Sequence, residues 1–180
     1  MTRRVILCLG VLYPVAVYVG GYYFPPQAIA LVLALVVVTR RTGAFGVRIG
    51  PWSVACGLLL AALAFGLNSA LPLKMYPVAV NASLLAIFGS SLRYPPSVAE
   101  RIARIRVPDL PPPVVAYTRK VTWAWCVFFV ANGLAALWTA TRWTVQAWFY
   151  YNGIIAYLLV AVMFAGEWLV RRRVLAGYRW

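Results

Sequence analysis

The sequence predicts an all-α, polytopic membrane protein: a six-helix transmembrane bundle with a short amphipathic interfacial helix between spans 4 and 5. The first observation is composition, because 64% of the 180 residues are hydrophobic and only 11% are charged, against about 25% in a soluble domain. A soluble chain this apolar would lack the polar side chains to cover its surface. The second observation is the recurrence of apolar runs of spanning length, and the third is the gathering of cationic residues between alternate runs.

Six apolar segments meet or approach the length of about 17–20 residues that a helix needs to cross the hydrocarbon core. The predicted spans are residues 5–21, 26–38, 52–71, 76–92, 121–140 and 145–170, within a single integral membrane domain of residues 1–180. The second span is short, and the stretch from Val5 to Val38 barely accommodates two crossings. A re-entrant hairpin is therefore an alternative for the first two spans. A cleaved signal peptide is the lesser alternative, because bulky Tyr22 and Tyr23 favour a hairpin.

The cationic residues predict the orientation of the chain. Fifteen of the 17 Lys and Arg residues lie before span 1, after span 6, or in the loops after spans 2 and 4, whereas Lys74 and Arg142 lie on the other side. Basic residues gather on the cytoplasmic side of membrane proteins, so both termini and the loop of residues 93–120 are expected in the cytoplasm. The net charge of +14 is thus interpreted as a mark of topology, and no nucleic-acid partner is expected.

The predicted cytoplasmic loop contains one clear helix signal. The stretch from Ser97 to Glu100 has the spacing of a capping box, in which the serine oxygen and the glutamate carboxylate satisfy free N–H groups at a helix start. Val98, Ile102 and Ile105 then share one helical face. A short basic amphipathic helix beside a span lies most simply in the membrane interface, with its arginines toward anionic lipid headgroups.

Five cations of this loop are the candidate contacts for lipid headgroups or for an acidic partner: Arg101, Arg104, Arg106, Arg119 and Lys120. Arg101 and Arg104 flank the apolar face of the predicted helix, and Glu100 is spaced to pair with Arg104. The alternative is a structural connector that rests on the bilayer. The run from Pro108 to Pro113 is expected to be stiff and extended, as a spacer or as a peptide ligand.

Polar side chains within the predicted spans are the second group of candidates: Asn81, Asn132, Asn152 and Glu167. Amides in a membrane usually hydrogen-bond across helices, each for under about 2 kcal/mol. A structural role is therefore one interpretation, and a polar path or headgroup site is the other. Glu167, the only acid within a span, lies four residues before Arg171. It can form a local ion pair with Arg171 or couple the movement of protons.

No catalytic, cofactor-binding or metal-binding residues are predicted. The chain has no histidine, which removes the commonest general base and metal ligand. Its three cysteines, Cys8, Cys56 and Cys126, have no CxxC spacing, and no Walker loop, zinc motif or nucleophile elbow occurs. A protein without enzymatic activity is therefore favoured over an enzyme, and no cofactor is expected.

Two long motifs, YPVAVNASLLAIFGSSLRYPPSVAERIARIRVPDLPPPVVAYTRKVTWAWCVFFVANG from Tyr76 to Gly133 and WFYYNGIIAYLL from Trp148 to Leu159, resemble a known family. It is an uncharacterised family of bacterial inner-membrane proteins, encoded in gene clusters for aryl polyene pigments and related type II fatty-acid-synthase-like pathways. The resemblance covers most of Tyr76–Arg173. It implies a bacterial inner-membrane location and a link to aryl polyene or lipid biosynthesis, without an established activity. The Trp…Phe-Phe…Asn…Trp pattern of the last two spans is also locally similar to intracellular septation protein A.

Three function hypotheses follow. The first is a non-enzymatic accessory or scaffold protein at the cytoplasmic face, with anionic lipid headgroups and an acidic acyl carrier protein or biosynthetic enzymes as partners. The second is a transporter or flippase for a polyene-lipid or related amphiphile, which would need a lipid-sized cleft bordered by the four intramembrane polar residues. The third is a membrane-embedded transferase, which would need a pocket holding Glu167 or Glu100 beside Tyr117 and an arginine.

Overall fold

The computed structural model describes residues 18–19, 23–32, 51–105 and 107–174, and in this part of the chain all regular structure is helical. The helices are α1 (Pro51–Leu67), α2 (Leu71–Lys74), α3 (Tyr76–Arg93), α4 (Val98–Arg104), α5 (Pro112–Arg142), α6 (Val145–Tyr150) and α7 (Ala156–Val174), and a π-helical turn, Tyr151–Ile155, joins α6 to α7. Residues 26–32 are also helical. Most of predicted span 1 and the later part of predicted span 2 lie outside the described residues.

Three helices are long and apolar enough to cross a membrane, which confirms the all-α class and indicates a membrane protein. They are Leu71–Arg93, Pro112–Arg142 and Val145–Arg173, and Leu58–Leu67 within α1 is a shorter apolar helix. The three long helices contain predicted spans 4, 5 and 6. In the third, none of the most apolar stretch is buried. Apolar surface of this extent marks contact with a membrane or another protein.

α1 ends before residue 71, where predicted span 3 ends, because a Schellman motif stops the helix. Asn68 has a φ of 45°, a left-handed conformation that asparagine tolerates better than most residues. The N–H of Ser69 donates to the carbonyl of Ala64 at 3.2 Å, and that of Asn68 donates to Phe65 at 3.4 Å. These two bonds satisfy carbonyls at the helix end, and the chain turns there toward α2.

The proline-rich run is shorter than predicted, since α5 begins within it. Pro112 and Pro113 form the first turn of α5, and the carbonyl of Pro111 accepts from the N–H groups of Val114 and Val115 at 2.9 and 3.1 Å. Proline suits this position, because the first N–H groups of a helix have no helical partner. The expectation of an extended run is therefore wrong for its last two residues.

The described chain forms two compact units, and the first contains the described residues up to Ala79 together with Ala135–Ile155. Its core gathers around Trp148, which is fully buried and donates its indole N–H to the carbonyl of Lys74 at 3.1 Å. That bond avoids the cost of an unpartnered donor in an apolar interior. Mostly small side chains make up the rest of this core: Ile29, Ala30, Ala61, Ala64, Leu73 and Ala140.

The second unit consists of Val80–Leu134 and the residues from Ala156 onward, and in it α3 packs antiparallel to α5. Rising numbers on α3 meet falling numbers on α5: Asn81 lies 3.1 Å from Asn132, and the ring of Phe88 lies 6.5 Å from that of Trp125. α7 joins the same cluster through Phe164, whose ring lies 4.8 Å from that of Trp125. Aromatic rings therefore form the centre of this unit.

Candidate functional site

α4 is the predicted amphipathic helix, and its start shows the serine half of the predicted capping box. The other half is wrong, because the Glu100 carboxylate accepts from Arg104 instead of from a backbone N–H. Ser97 Oγ accepts from the N–H of Glu100 at 3.4 Å. The carboxylate of Glu100 accepts from Nε and Nη2 of Arg104 at 3.0 and 2.8 Å, which confirms the predicted pair. Glu100 is only 6% exposed, and an unpaired carboxylate so deeply buried would be costly. Arg104 therefore stabilises the helix by neutralising this acid.

Two hydroxyl groups of neighbouring helices hold the start of α4 in place. The N–H of Val98 donates to Ser91 Oγ on α3 at 3.1 Å, and that of Ala99 donates to Thr122 Oγ1 on α5 at 3.3 Å. The first N–H groups of a helix lack partners within it, so α3 and α5 supply the acceptors. Sequence reasoning missed both hydroxyls, although the spacing of Thr118 and Thr122 on one helical face was an available signal.

The free face of α4 combines apolar and cationic side chains. Ile102 and Ile105 are 62% and 82% exposed, and Arg101 beside them is also exposed. This composition is typical of a helix at the boundary between hydrocarbon and headgroups. Val98, the third member of the predicted apolar face, is half-buried instead, because it lies at the anchored start of the helix.

Two of the five predicted cations are engaged by the loop itself. Arg101 Nε donates to the carbonyl of Pro96 at 2.9 Å. Arg104 Nη1 donates to the carbonyl of Pro108 at 2.6 Å, in addition to its contact with Glu100. Arg104 is thus held on two sides and serves the fold of the loop, whereas Arg101 remains exposed and can still meet a partner.

Two other predicted cations, Arg119 and Lys120, are exposed on α5. Neither side chain has a hydrogen bond or ion pair with a described residue. Arg106 lies outside the described residues. Arg93, which sequence reasoning did not single out, is a further exposed cation and lines the same groove as Arg119.

These side chains share one end of the second unit, because α3 ends, α5 begins and α7 ends there. Tyr117 near the start of α5 donates to Glu167 near the end of α7. Of the 3 acids in the chain, Glu100 and Glu167 are paired with Arg104 and Arg171. We name the exposed cations at this end the cationic end: Arg93, Arg101, Arg119, Lys120, Arg172 and Arg173.

Asn81 and Asn132 form a buried amide pair in the second unit. Asn132 Nδ2 donates to Asn81 Oδ1 at 3.1 Å, and the two residues are only 7% and 8% exposed. A Cβ added at Gly133 would lie 3.2 Å from the Cβ of Asn81. This glycine therefore lets α3 and α5 approach closely enough for the amides to meet, as small residues do in membrane helices.

Asn152 lies in the π-helical turn of the first unit and is also buried. Its Nδ2 donates to the carbonyl of Trp148 at 3.0 Å and to Thr139 Oγ1 at 3.3 Å. A π-helical turn takes up extra chain and disturbs the regular carbonyl pairing of a helix. The carbonyl of Trp148 accepts from the N–H of Tyr151, and the Asn152 amide is a second donor to it. Within the described residues, every buried side-chain nitrogen and oxygen has a partner.

Glu167 lies beside an arginine and a tyrosine. Its Oε1 is 3.6 Å from Nε of Arg171, which is the local ion pair that the spacing allows. The hydroxyl of Tyr117 donates to the carbonyl of Glu167 at 3.3 Å and to its Oε1 at 3.4 Å. The structure thus brings together the acid, hydroxyl and arginine that a transferase site would need.

Two adjoining apolar grooves run along α3 and α5 in the second unit. The first has a volume of about 400 Å³ and is lined by Leu85, Gly89, Leu92, Arg93, Arg119, Trp123 and Cys126. The second, of about 390 Å³, shares three of these residues and continues along Val127, Val130, Ala131 and Leu134. Neither groove is lined by the intramembrane polar residues or by Tyr117, so the predicted polar candidates and the grooves are separate features.

No cluster of three or more His, Cys, Asp and Glu that could hold a metal occurs within the described residues.

No protein-family model matches the chain, and no curated protein or solved structure matches it. The resemblance to the aryl polyene family therefore stays a prediction from the two sequence motifs.

Proposed function

We propose that the protein is a non-enzymatic accessory or scaffold protein that supports aryl polyene or related lipid-type biosynthesis at the cytoplasmic face of a bacterial inner membrane. The proposal includes six spans, with both termini and the cationic end in the cytoplasm. Its support from sequence is the family resemblance from Tyr76 to Gly133 and the gathering of Lys and Arg between alternate spans.

The observation that carries the proposal is the cationic end. Arg119 and Lys120 are exposed, and the nearby acids Glu100 and Glu167 are already paired within the chain. Acyl carrier proteins are typically acidic, and a surface of one sign attracts and orients a partner of the opposite sign. Because α4 is anchored to α3 and α5, the position of Arg101 on its exposed face is fixed relative to those helices.

The buried amides favour this role over transport. A transporter or flippase for a polyene lipid would need a cleft bordered by Asn81, Asn132, Asn152 and Glu167. Instead, the three amides are buried and hydrogen-bonded, and the grooves of the second unit are lined by other side chains.

A membrane-embedded transferase is the second candidate, favoured by one observation. The hydroxyl of Tyr117 lies 3.4 Å from Oε1 of Glu167, and a carboxylate so placed can act as a general base. Tyr117→Phe distinguishes the two functions in the native host. It should abolish pigment or lipid formation if the protein is a transferase, and it should leave formation unchanged if the protein is a scaffold.

Binding of a purified acidic acyl carrier protein to the full chain in nanodiscs tests the proposal directly. Charge reversal in Arg119→Glu/Lys120→Glu should weaken binding by about tenfold or more, because attractive contacts become repulsive. Added salt should weaken wild-type binding, because it screens exposed charges. Arg142→Glu, at the other end of α5, is the matched control and should change binding little. Binding that survives the double reversal would sink the proposal.

Deletion of the gene in its own host separates scaffolding from transport. Profiling of pigments and lipids in the inner and outer membranes should then show loss of product, since a scaffold is needed for synthesis. Accumulation of finished product in the inner membrane would instead indicate transport and would contradict the proposal.

A further inference from the structure

The groove along α3 and α5 has the dimensions of a lipid chain. Its apolar wall runs along α5 from Trp123 to Leu134, a distance of about 16 Å at about 1.5 Å per residue. That is about the depth of one leaflet, since the whole hydrocarbon core is about 30 Å thick. Trp123, Val127 and Leu134 are each more than half exposed, so their side chains are open to an acyl chain.

Two guanidinium groups lie at one end of this groove. Arg93 ends α3, and Arg119 lies about one turn before Trp123 on α5. Neither is paired with a described acid, and the guanidinium carbon of Arg93 lies 5.9 Å from the centre of the Tyr94 ring. Guanidinium donors match the oxygens of a phosphate in both geometry and charge. The groove therefore combines an anion-binding end with a long apolar wall.

We propose that this groove binds one anionic phospholipid, with its phosphate between Arg93 and Arg119 and an acyl chain along the wall from Trp123 to Leu134. The length of the apolar wall selects a lipid over a soluble anion. The two arginines select an anionic headgroup over a zwitterionic one, whose own cation would lie near them. The proposal goes beyond the scaffold function and does not depend on it.

Gly89 lines the groove and, having no side chain, leaves space there for a ligand. A Cβ added at this helical glycine meets nothing within 4 Å, so a side chain can be introduced here without a clash at its first carbon. Such a side chain would occupy the space that the acyl chain needs. Gly166 on α7 has the same open surroundings but does not line the groove, which makes it a matched control position.

Brominated lipids test the proposal, because bromine on an acyl chain quenches the fluorescence of a neighbouring tryptophan. The full chain is placed in vesicles that mix phosphatidylglycerol with phosphatidylcholine, and one lipid at a time carries bromine. The difference between wild type and Trp123→Phe reports the lipid beside Trp123. Phosphatidylglycerol should be preferred there by at least about fivefold, the gain expected from one arginine near an anionic headgroup.

The variants separate headgroup attraction from chain binding. Arg93→Gln/Arg119→Gln should remove the preference, whereas Arg93→Lys/Arg119→Lys keeps the charge and should retain most of it. Retention in the lysine variant would show that the two positions tolerate substitution and that their charge sets the preference. Gly89→Leu should fill the groove and reduce the preference, and Gly166→Leu should leave it unchanged.

Equal quenching by the two lipids in the wild type would overturn the proposal, and so would a preference that survives in Arg93→Gln/Arg119→Gln. A preference that is lost with the arginines but kept in Gly89→Leu would mean that headgroups are attracted without a chain in the groove. That result would also overturn it.

Discussion

At the scale of single residues, Gly133 and Asn81 set the separation of α3 and α5. The Cβ that alanine would add at position 133 lies 3.2 Å from the Cβ of Asn81, closer than ordinary van der Waals contact. The Cβ of Asn81 is attached to the backbone and cannot rotate away, so α3 itself would have to shift. The amide contact with Asn132, at 3.1 Å, would lengthen with that shift.

Gly133→Ala is therefore expected to destabilise the protein by about 1 kcal/mol, because overpacking outweighs the higher helix propensity of alanine. Gly166→Ala, where the new Cβ meets nothing within 4 Å, should be neutral or stabilising. Reversible unfolding in mixed micelles measures both changes in the free energy of unfolding. An equal gain in the two variants would contradict the close contact.

At the scale of elements, α4 depends on bonds that other helices supply. It has 7 residues, and isolated helices shorter than about 12 residues are marginal in water. Ser91 and Thr122 accept from its first N–H groups, and Thr122 is fully buried. The position of α4 is therefore set by α3 and α5 more than by its own sequence.

Thr122→Val should loosen α4, because it removes the acceptor of the Ala99 N–H at nearly constant side-chain size. A buried N–H left without a partner costs about 1–3 kcal/mol, and the lower end applies to the Ala99 N–H because it is only partly buried. Amide hydrogen exchange in α4 should therefore speed up by about fivefold. Thr141→Val on the same helix is the control, since that hydroxyl bonds to carbonyls within α5. Equal exchange rates in the two variants would refute the anchoring role.

The elements also show which parts of the fold are predictable from sequence. Apolar runs predict spans 4 to 6, and the capping box at Ser97 predicts α4, because both signals are local. The π-helical turn has no such signal, since the Asn152 amide depends on Thr139, 13 residues away. The partner of Asn132 cannot be predicted either. A helix that is apolar all round has no polar face to show which of its sides packs against a neighbouring helix.

For the candidate sites too, local features are predictable from the sequence, whereas contacts between distant residues are not. The loop cations are visible as a basic run, but their roles differ: Arg104 pairs with Glu100, whereas Arg119 forms no ion pair within the described part of the chain. The groove is not visible at all, because Arg93 and Arg119 belong to different helices. Only the antiparallel packing of α3 against α5 brings the two arginines to one end of an apolar wall.

At the scale of the whole molecule, the distribution of charge predicts orientation. The proposal puts the cationic end in the cytoplasm, and it puts Lys74 and Arg142 on the opposite side. Two exposed positions can report this orientation. Asp109, in the loop before α5, is expected on the cytoplasmic side, and Gln146, at the start of α6, is expected on the opposite side.

Single-cysteine labelling tests this orientation in a chain whose 3 native cysteines have been replaced. A membrane-impermeant maleimide added to intact spheroplasts should label Gln146→Cys and should reach Asp109→Cys only after lysis. The reverse pattern would refute the orientation and, with it, a cytoplasmic role for the cationic end.

The last long helix has a consequence for how this protein can evolve. No part of its most apolar stretch is buried, and Leu158 and Val162 are 61% and 66% exposed. A side chain that contacts only fluid lipid must be apolar, but its volume and its branching are unconstrained. Leucine, valine and phenylalanine should therefore interchange freely in homologous chains at those positions of this helix that contact no other helix. Gly133 and the paired asparagines, which meet other helices, should vary far less.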